Sequence, residues 1–258
     1  MLHGATESSE QRHAGDQQHM FDTVVEGTRR ALQLAKTSNA RGFLLVSSGA
    51  VYGPQPSTVE RLNEDFRGGP DTGDPNSTYA EAKRAAELLC SIEHQTSGLP
   101  IRVARCFAFV GPGLPLDAHF AVGNFIGDSL RGGPIRILGN GTAVRSYLYM
   151  ADLTIWLWTM LLRPTAHGTY NVGSEQGVSI LDLARAVARE CAPDAAIEVG
   201  ERSSTGSGVN RYVPSTERAR RELWLRQYID LDEALRRTAR WHRLSSSPQH
   251  RLAPESNT

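Results

Sequence analysis

The sequence predicts an α/β protein, with a parallel β-sheet that carries helices on both faces. The first observation is a continuous apolar run at residues 43–46, typical of a strand buried on both faces. The second is the stretch from residue 79 to about residue 94, which is rich in Ala, Glu, Lys and Leu and favours a helix. The third is a further strand pattern at residues 101–104. A strand, a helix and a second strand in this order are typical of a parallel sheet.

The other elements follow from apolar spacing and from turn residues. Further helices are predicted from near residue 21 and at 121–130, 153–162, 180–191, 215–223 and 230–241. Strands are predicted at 135–138 and 168–173. Residues 54–77, rich in Pro, Gly, Asp and Asn, predict a long loop over the substrate side, and residues 245–258 predict a disordered tail.

The composition is that of an ordinary globular protein. The 258 residues suffice for one domain, or two closely joined ones, with a real core. The net charge of +0 gives no support to a nucleic-acid partner or to an anionic membrane surface. The most apolar stretch, residues 153–162, is too short to span a bilayer. We therefore expect no nucleic acid and no membrane among the partners.

The cysteines indicate a reducing compartment. Cys90, Cys106 and Cys191 are widely spaced and odd in number. This pattern suits reduced thiols in the cytoplasm better than a disulfide framework or a metal site. A cytoplasmic protein without a bound metal is expected.

Ser48, Tyr79 and Lys83 form the candidate catalytic group. Tyr79 and Lys83 are four residues apart on the predicted helix, so they lie on one face of it. Ser48 ends the apolar strand, and open α/β sheets bind ligands beyond the carboxyl ends of their strands. A tyrosine–lysine pair alone is more often a surface contact. The strand, the turn at residues 47–53 and the distance to Tyr79 together favour a site.

This group suits hydride transfer between a sugar hydroxyl and a nicotinamide. A free phenol has a pKa near ~10, and a nearby lysine ammonium is expected to lower that value. Tyr79 is therefore predicted to take the hydroxyl proton while a nicotinamide takes the hydride. Ser48 is predicted to hold the same hydroxyl in line.

Several motifs recur in one known family. They lie at residues 3–6, 48–53, 79 with 83, 105–112, 145–149 with 152, and 170–173. Their combination resembles the extended short-chain dehydrogenase/reductase family, in particular its NAD-dependent nucleotide-sugar epimerases and dehydratases. The resemblance implies a Rossmann-like, doubly wound parallel sheet in residues 1–112. It also implies a small C-terminal α/β substrate-binding region in residues 113–244, with strands that return to the sheet.

The resemblance implies NAD as the cofactor. The cofactor-binding residues that it implies are His3, Ala5, Ser47, Tyr79 and Lys83. NADP is not excluded, because the acidic or basic residue that discriminates the two lies in a segment that the sequence does not contain.

The resemblance implies a nucleotide-diphosphate sugar as the partner. The substrate-binding residues that it implies are Ser48, Asn124, Arg145 and Arg211. Arg145 matches an arginine that grips the diphosphate, a role that suits the paired donors of a guanidinium. Asp152 is expected to cap the helix that follows it or to orient Arg145. Relatives often dimerise through the helices that begin near residues 21 and 79, so a homodimer is expected.

One family motif is missing. The sequence contains no Gly-x-x-Gly-x-x-Gly turn, which relatives use to approach the cofactor pyrophosphate. Residues 1–5 resemble the end of the family's fourth strand, so the fold is expected to be N-terminally truncated by roughly 70 residues, about one mononucleotide-binding half. A misassigned start or truncated gene is one explanation. A natural protein without a full cofactor site is the other.

The residues after Ser48 narrow the reaction. By resemblance, 4,6-dehydratases carry Asp-Glu there and related decarboxylases carry a glutamate second, whereas this chain has Gly49 and Ala50. Neither can transfer a proton, which disfavours elimination and decarboxylation. We expect 4-epimerisation at sugar C4, with reduction of a 4-keto sugar or a 4,6-dehydratase-like reaction as alternatives. An inactive nucleotide-sugar-binding remnant is the alternative outside the enzymes.

Overall fold

The computed structural model describes residues 1–5, 17–118, 120–163, 168–202 and 210–245. The tail predicted at residues 245–258 lies outside these residues, except for Ser245, which ends the last helix. The strands, in chain order, are β1 (Leu2–His3), β2 (Phe43–Ser48), β3 (Ile101–Cys106), β4 (Ala108–Val110), β5 (Ile135–Gly139), β6 (Val144–Arg145), β7 (Tyr147–Tyr149), β8 (Gly168–Val172), β9 (Val178–Ser179), β10 (Ile197–Arg202) and β11 (Arg211–Tyr212).

The helices follow the predicted order. They are α1 (Gln17–Thr37), α2 (Thr78–Ser97), α3 (Ala121–Leu130), α4 (Met150–Leu162), α5 (Ile180–Cys191), α6 (Glu217–Leu223) and α7 (Leu231–Ser245). A short 3₁₀ turn at Gly49–Tyr52 precedes the long loop at residues 54–77. A second 3₁₀ turn, Pro75–Ser77, lies directly before α2. Gly98 ends α2 in the left-handed conformation with φ 72°, which glycine adopts without strain.

The central sheet is parallel and has the strand order β1-β2-β3-β8. In its register, Ser48 at the end of β2 stands beside Cys106 at the end of β3. Because the strands are parallel, their carboxyl ends meet at one edge of the sheet. β8 comes from the C-terminal part of the chain, so this part does return a strand to the sheet.

Helices cover both faces of this sheet, as the sequence predicts. Alternate residues of β2 point to opposite faces, so Phe43 and Leu45 pack with α1 and α2, whereas Leu44 packs with α4 and α6. A third apolar cluster joins α3, α5 and α7 over β5 and forms the core of the C-terminal region. The α/β fold class, with a doubly wound sheet, is confirmed.

Candidate active site

Ser48, Tyr79 and Lys83 meet at the carboxyl end of β2. Ser48 ends that strand, is 9% exposed, and its Oγ accepts a hydrogen bond from the backbone N–H of Ala50 at 3.2 Å. Tyr79 lies in the first turn of α2, close enough for the hydroxyls of Ser48 and Tyr79 to interact. The Nζ of Lys83, one turn further along α2, lies 5.8 Å from the centre of the Tyr79 ring.

The electrostatics of this group differ from the prediction. Burial raises the pKa of Tyr79, and the hydrogen bond with the Ser48 side chain only partly offsets that rise. The expected lowering of the Tyr79 pKa by Lys83 is therefore wrong for this structure. The Lys83 Nζ donates to the Val46 carbonyl at 2.9 Å, and burial lowers its own pKa to about 8. Desolvation thus sets the direction of the pKa shift of both groups.

Tyr212 and Cys106 complete the surroundings of Ser48, and sequence reasoning missed both. The Tyr212 hydroxyl interacts with the Ser48 side chain, and burial raises the pKa of that hydroxyl far above its usual range. Burial also raises the pKa of the Cys106 thiol to about 12. The family resemblance implies a substrate-binding role for the neighbouring Arg211 but not for Tyr212. Because side chains alternate along a strand, the two residues of β11 face opposite sides, and this alternation is the signal that could have indicated Tyr212.

The predicted phosphate-binding arginines lie in different surroundings. Arg145 is paired in register with Tyr212, and its Nη1 donates to the carbonyls of Val144 at 2.9 Å and Asn210 at 3.1 Å. Burial lowers the pKa of Arg145, although a guanidinium remains charged at any ordinary pH. Arg211, by contrast, lines a cavity of about 600 Å³ with Glu175, among other residues, and the structure does not join it to the Ser48 group.

Asn124 lies in α3 and is half-buried. Its side-chain amide makes no hydrogen bond to any residue that the structure describes. No hydrogen bond among the described residues joins Asn124 to Arg145 or Ser48, and its substrate role stays a prediction.

The predicted cofactor residues fall into two groups. His3 lies near Lys83, whose charge adds to burial in lowering the pKa of the His3 ring, and its Nε2 is 3.3 Å from the Thr28 hydroxyl. Ala5 is exposed just beyond β1. Ser47, however, is 2% exposed and its hydroxyl donates to Glu87 at 2.5 Å, so the predicted cofactor contact of its side chain is not available in this structure.

The donor set fits the nicotinamide-ribose half of a dinucleotide. A lysine ammonium has three N–H donors, and within the described ranges Lys83 gives one of them to Val46. The other donors and the Tyr79 hydroxyl suit the hydroxyls of a ribose. For the pyrophosphate half, the sequence offers no Gly-x-x-Gly-x-x-Gly turn.

An ion pair fixes α2 against the sheet behind the catalytic group. Arg105 on β3 donates from Nη2 to Glu87 Oε2 at 2.7 Å and from Nε to both carboxylate oxygens. The same guanidinium lies 4.7 Å from the centre of the Tyr52 ring. Glu87 also accepts the Ser47 hydrogen bond, so one carboxylate ties α2 to β2 and β3.

The long loop at residues 54–77 is anchored to the strand that carries Tyr212. Leu62 is fully buried, and its backbone N–H donates to the Val213 carbonyl at 2.9 Å. The Gln55 side chain accepts from the Val213 N–H at 3.0 Å. This loop therefore supports β11 and fixes where Tyr212 stands.

The predicted role of Asp152 is wrong. α4 begins at Met150, and Tyr149 is its N-cap residue without a side-chain hydrogen bond. The Asp152 Oδ2 instead accepts from the N–H groups of Tyr228 at 3.1 Å and Ile229 at 3.0 Å. Asp152 thus anchors the segment before α7. Local sequence rules cannot predict this contact, because its partners lie far along the chain.

Among the residues with described placement, no group of three His, Cys, Asp or Glu side chains could hold a metal ion. Within the same part of the chain, none of the helices combines the length and the apolar character needed to cross a bilayer.

Comparison with known protein families gives a match over most of the chain. The model of the NAD dependent epimerase/dehydratase family matches residues 1–173. UDP-glucuronic acid decarboxylase 1 of Arabidopsis thaliana is 33% identical over 215 residues, which are 83% of this chain and 48% of that protein. The enzyme of the same name from Xenopus tropicalis is 30% identical and matches 86% of this chain and 51% of its own length. The chain thus spans about half the length of these curated relatives.

Solved structures show the same fold. The UDP-glucose 4-epimerase of Thermotoga maritima, solved with UDP-glucose, has a TM-score of 0.85 at 21% identity, covering 95% of this chain and 77% of that one. The dTDP-glucose 4,6-dehydratase of Streptomyces venezuelae, solved with NAD and TYD bound, has a TM-score of 0.80 at 25% identity. That likeness covers 94% of this chain and 72% of the dehydratase.

Proposed function

Because the chain belongs to the NAD-dependent epimerase/dehydratase family, we propose that it transfers a hydride at C4 of a nucleotide-diphosphate sugar, with Ser48, Tyr79 and Lys83 around the reacting hydroxyl. One observation carries this proposal. The three side chains come from two elements distant in sequence and meet at the carboxyl end of β2, where α/β sheets bind ligands. Ser48 and Lys83 are also buried, which removes them from competition with water.

Tyr79 is the proton acceptor in this proposal. Its phenolate would accept the C4 hydroxyl proton, and the Ser48 hydroxyl would hold the same sugar oxygen. Since burial raises the Tyr79 pKa, the phenolate is scarce at neutral pH, so the rate should rise as the pH rises. The Lys83 ammonium next to the ring supports the anion wherever it remains protonated.

NAD is the proposed cofactor. When bound, a nicotinamide dinucleotide supplies the hydride acceptor for the sugar carbon. Tyr79 and Lys83 would hold its nicotinamide ribose, with His3 and Ala5 at the end of the neighbouring strand β1. Ser47 would contact the cofactor only through its backbone, because its hydroxyl donates to Glu87.

Arg145 is the proposed diphosphate ligand. It lies in β6 beside Tyr212, and Tyr212 in turn lies beside Ser48, so a single substrate could bridge the arginine and the catalytic hydroxyl. A guanidinium offers paired, charge-assisted hydrogen bonds to phosphate oxygens. Asn124 and Arg211 remain proposed contacts for the outer part of the nucleotide.

Three reactions compete as the specific activity. Gly49 and Ala50 carry no acid, which favours 4-epimerisation, with 4-keto-sugar reduction as the alternative that uses the same residues. The names of the curated relatives favour a decarboxylase that acts on UDP-glucuronic acid as the second candidate. The C4 hydride transfer is common to all three.

Product analysis separates these reactions. The purified chain is incubated with NAD and, in separate samples, UDP-glucose, UDP-glucuronic acid and dTDP-glucose, and the products are identified by NMR and mass spectrometry. An epimer of unchanged mass supports the epimerase proposal. Loss of carbon dioxide from UDP-glucuronic acid establishes the decarboxylase instead. If the folded chain binds both ligands and converts none, the proposed function is wrong.

A homodimer in the cytoplasm is the proposed state. Exposed apolar side chains lie on the outer faces of α1 and α2, where relatives are expected to dimerise. Leu34 on α1 is 57% exposed, and Leu88 and Ile92 on α2 are 61% and 49% exposed. The three cysteines are free and buried, which supports a reducing compartment.

A further inference from the structure

The Tyr212 hydroxyl takes the space next to Ser48 in which a side chain on residue 49 would lie. A Cβ placed on Gly49 would be 2.6 Å from the Tyr212 Oη and 2.7 Å from Cζ of Phe107. Both distances are far below van der Waals contact. The absence of a side chain at position 49 is therefore what admits the tyrosine.

Three observations define the position of Tyr212, one for its ring and two for the backbone beside it. The rings of Phe107 and Tyr212 are 4.5 Å apart between centroids and tilted by 33°. On the strand side, Tyr212 is in register with Arg145. The loop residue Gln55 binds the backbone of Val213, which follows Tyr212 directly. These contacts fix where the Tyr212 backbone and ring lie, and the Tyr212 hydroxyl interacts with Ser48.

The hydrogen-bonding capacity of Ser48 limits what this hydroxyl can do. A serine hydroxyl accepts two hydrogen bonds and donates one. The Ala50 N–H occupies one acceptor position of Ser48 Oγ. The hydroxyls of Tyr79 and Tyr212 also interact with the Ser48 side chain. Because only one acceptor position of Ser48 Oγ remains, at most one of the two tyrosines can donate to it.

The local charges decide which tyrosine donates. Burial raises the pKa of the Tyr212 phenol far above its usual range, so the phenol keeps its proton and can donate when Tyr79 ionises first. Tyr79 is the phenol beside the Lys83 ammonium. The titratable and charged groups around these hydroxyls are Lys83 on α2, Cys106 on β3 and Arg145 on β6. Once Tyr79 ionises, its phenolate has no proton to donate, so it can only accept the Ser48 proton.

We propose that Tyr212 is a positioning residue for Ser48: its hydroxyl donates to Ser48 Oγ and so directs the Ser48 proton toward Tyr79 and the sugar oxygen. The catalytic part of this inference rests on the proposed function. The direction of the hydrogen bonds from Tyr212 to Ser48 and from Ser48 to Tyr79 does not. The same arrangement excludes an acidic side chain at position 49, because Tyr212 fills that space.

The direct test is the titration of the Tyr79 phenol, followed by NMR in protein labelled with ¹³C at the tyrosine ζ carbons. The Tyr79 signal is assigned with Tyr79→Phe. In Tyr212→Phe, which keeps the ring against Phe107, loss of the donated bond should raise the Tyr79 pKa by about half a unit to one unit. Tyr147→Phe is the matched control, because Tyr147 is also a buried tyrosine beside Arg145 but is not a neighbour of Ser48.

A second variant separates positioning from packing. In a Ser48→Ala background, Tyr212→Phe should cause no further shift of the Tyr79 pKa, because the connecting hydroxyl is gone. An unchanged or lowered Tyr79 pKa in Tyr212→Phe overturns the proposal, as does a shift of equal size in Tyr147→Phe or in the Ser48→Ala background. None of these measurements requires turnover. A protein that converts no sugar therefore still tests the direction of the hydrogen bonds among the three hydroxyls.

Turnover gives an independent readout when it is present. Tyr212→Phe should lower kcat by about tenfold with a smaller effect on KM, since Ser48 orientation matters most in the transition state. A raised KM with an unchanged kcat would make Tyr212 a simple substrate contact and would contradict the positioning role.

Discussion

The Lys83 ammonium donates to the Val46 carbonyl at 2.9 Å and is almost completely buried beneath the active site. Burial lowers its pKa to about 8, whereas a lysine in the unfolded chain keeps its proton up to about pH 10. Between these two values the unfolded chain binds more protons than the folded one. The Lys83 contribution to the free energy of unfolding must therefore increase as the pH rises through this window.

Comparison with Lys83→Met tests this linkage. The variant keeps the length of the side chain but cannot titrate. The free energy of unfolding of the native chain, minus that of Lys83→Met, should increase by up to about 3 kcal/mol between about pH 8 and pH 10. Denaturant unfolding at several pH values measures this difference. The buried thiols of Cys90 and Cys191 titrate in both proteins and cancel, whereas Cys106 interacts with Lys83 and is part of the measured difference. A pH-independent difference would show that Lys83 is not desolvated.

Breaking the Glu87–Arg105 ion pair should destabilise the protein strongly. The two side chains are only 13% and 17% exposed, so neither charge can be fully rehydrated when its partner is lost. Glu87→Gln should lower the free energy of unfolding by roughly 3 kcal/mol. The control is Glu26→Gln on α1, whose partner Arg29 is 58% exposed, and it should cost less than about 0.5 kcal/mol. Equal effects in thermal or denaturant unfolding would contradict the role given to Glu87.

Gly49→Ala should be unusually costly for so small a change. The added Cβ would approach both the Tyr212 hydroxyl and the Phe107 ring at less than 3 Å. Such overpacking typically costs about 1–3 kcal/mol of unfolding free energy. In a Tyr212→Phe background the cost should decrease, because one of the two close contacts loses its oxygen. Should Gly49→Ala prove neutral in both backgrounds, the Tyr212 hydroxyl does not occupy that space.

We expect the outer faces of α1 and α2 to form a dimer interface that introduced charges would disrupt. Introducing Leu88→Glu and Ile92→Glu together would bury like charges across a symmetric interface, so the variant should be monomeric. Light scattering coupled to size-exclusion chromatography measures the mass directly. The matched control is Leu138→Glu, which changes an 80% exposed leucine on β5 and should leave the dimer intact. A monomeric native chain, or a variant that still dimerises, would exclude this interface.

The sequence predicts the parts of the site that depend on local spacing. Ser48 follows an apolar strand and Tyr79 and Lys83 share a helical face, so their convergence could be predicted from periodicity alone. The same reasoning shows that Trp156 and Trp158 cannot both be buried, and they are 1% and 53% exposed.

Features set by contacts between distant segments could not be predicted. Asp152 binds backbone groups of residues 228–229. Tyr212 contacts Ser48, although the two residues are far apart in the sequence. The Tyr79 pKa depends on how completely the surrounding elements exclude water, which no motif encodes. The start of α1, four residues before the predicted position, lies in a polar segment without an apolar period.

The rate of the sugar reaction in Tyr79→Phe tests the central claim most directly. The variant removes only the phenolic oxygen, and Tyr228→Phe, at a residue 57% exposed and outside the site, is its control. With NAD and the converted nucleotide sugar, Tyr79→Phe should lose at least about a hundredfold in kcat, whereas Tyr228→Phe should keep the native rate. The native rate should also rise from neutral to alkaline pH, as the raised Tyr79 pKa requires. A folded Tyr79→Phe that binds both ligands and keeps the native rate would contradict the assignment of Tyr79 as the proton acceptor.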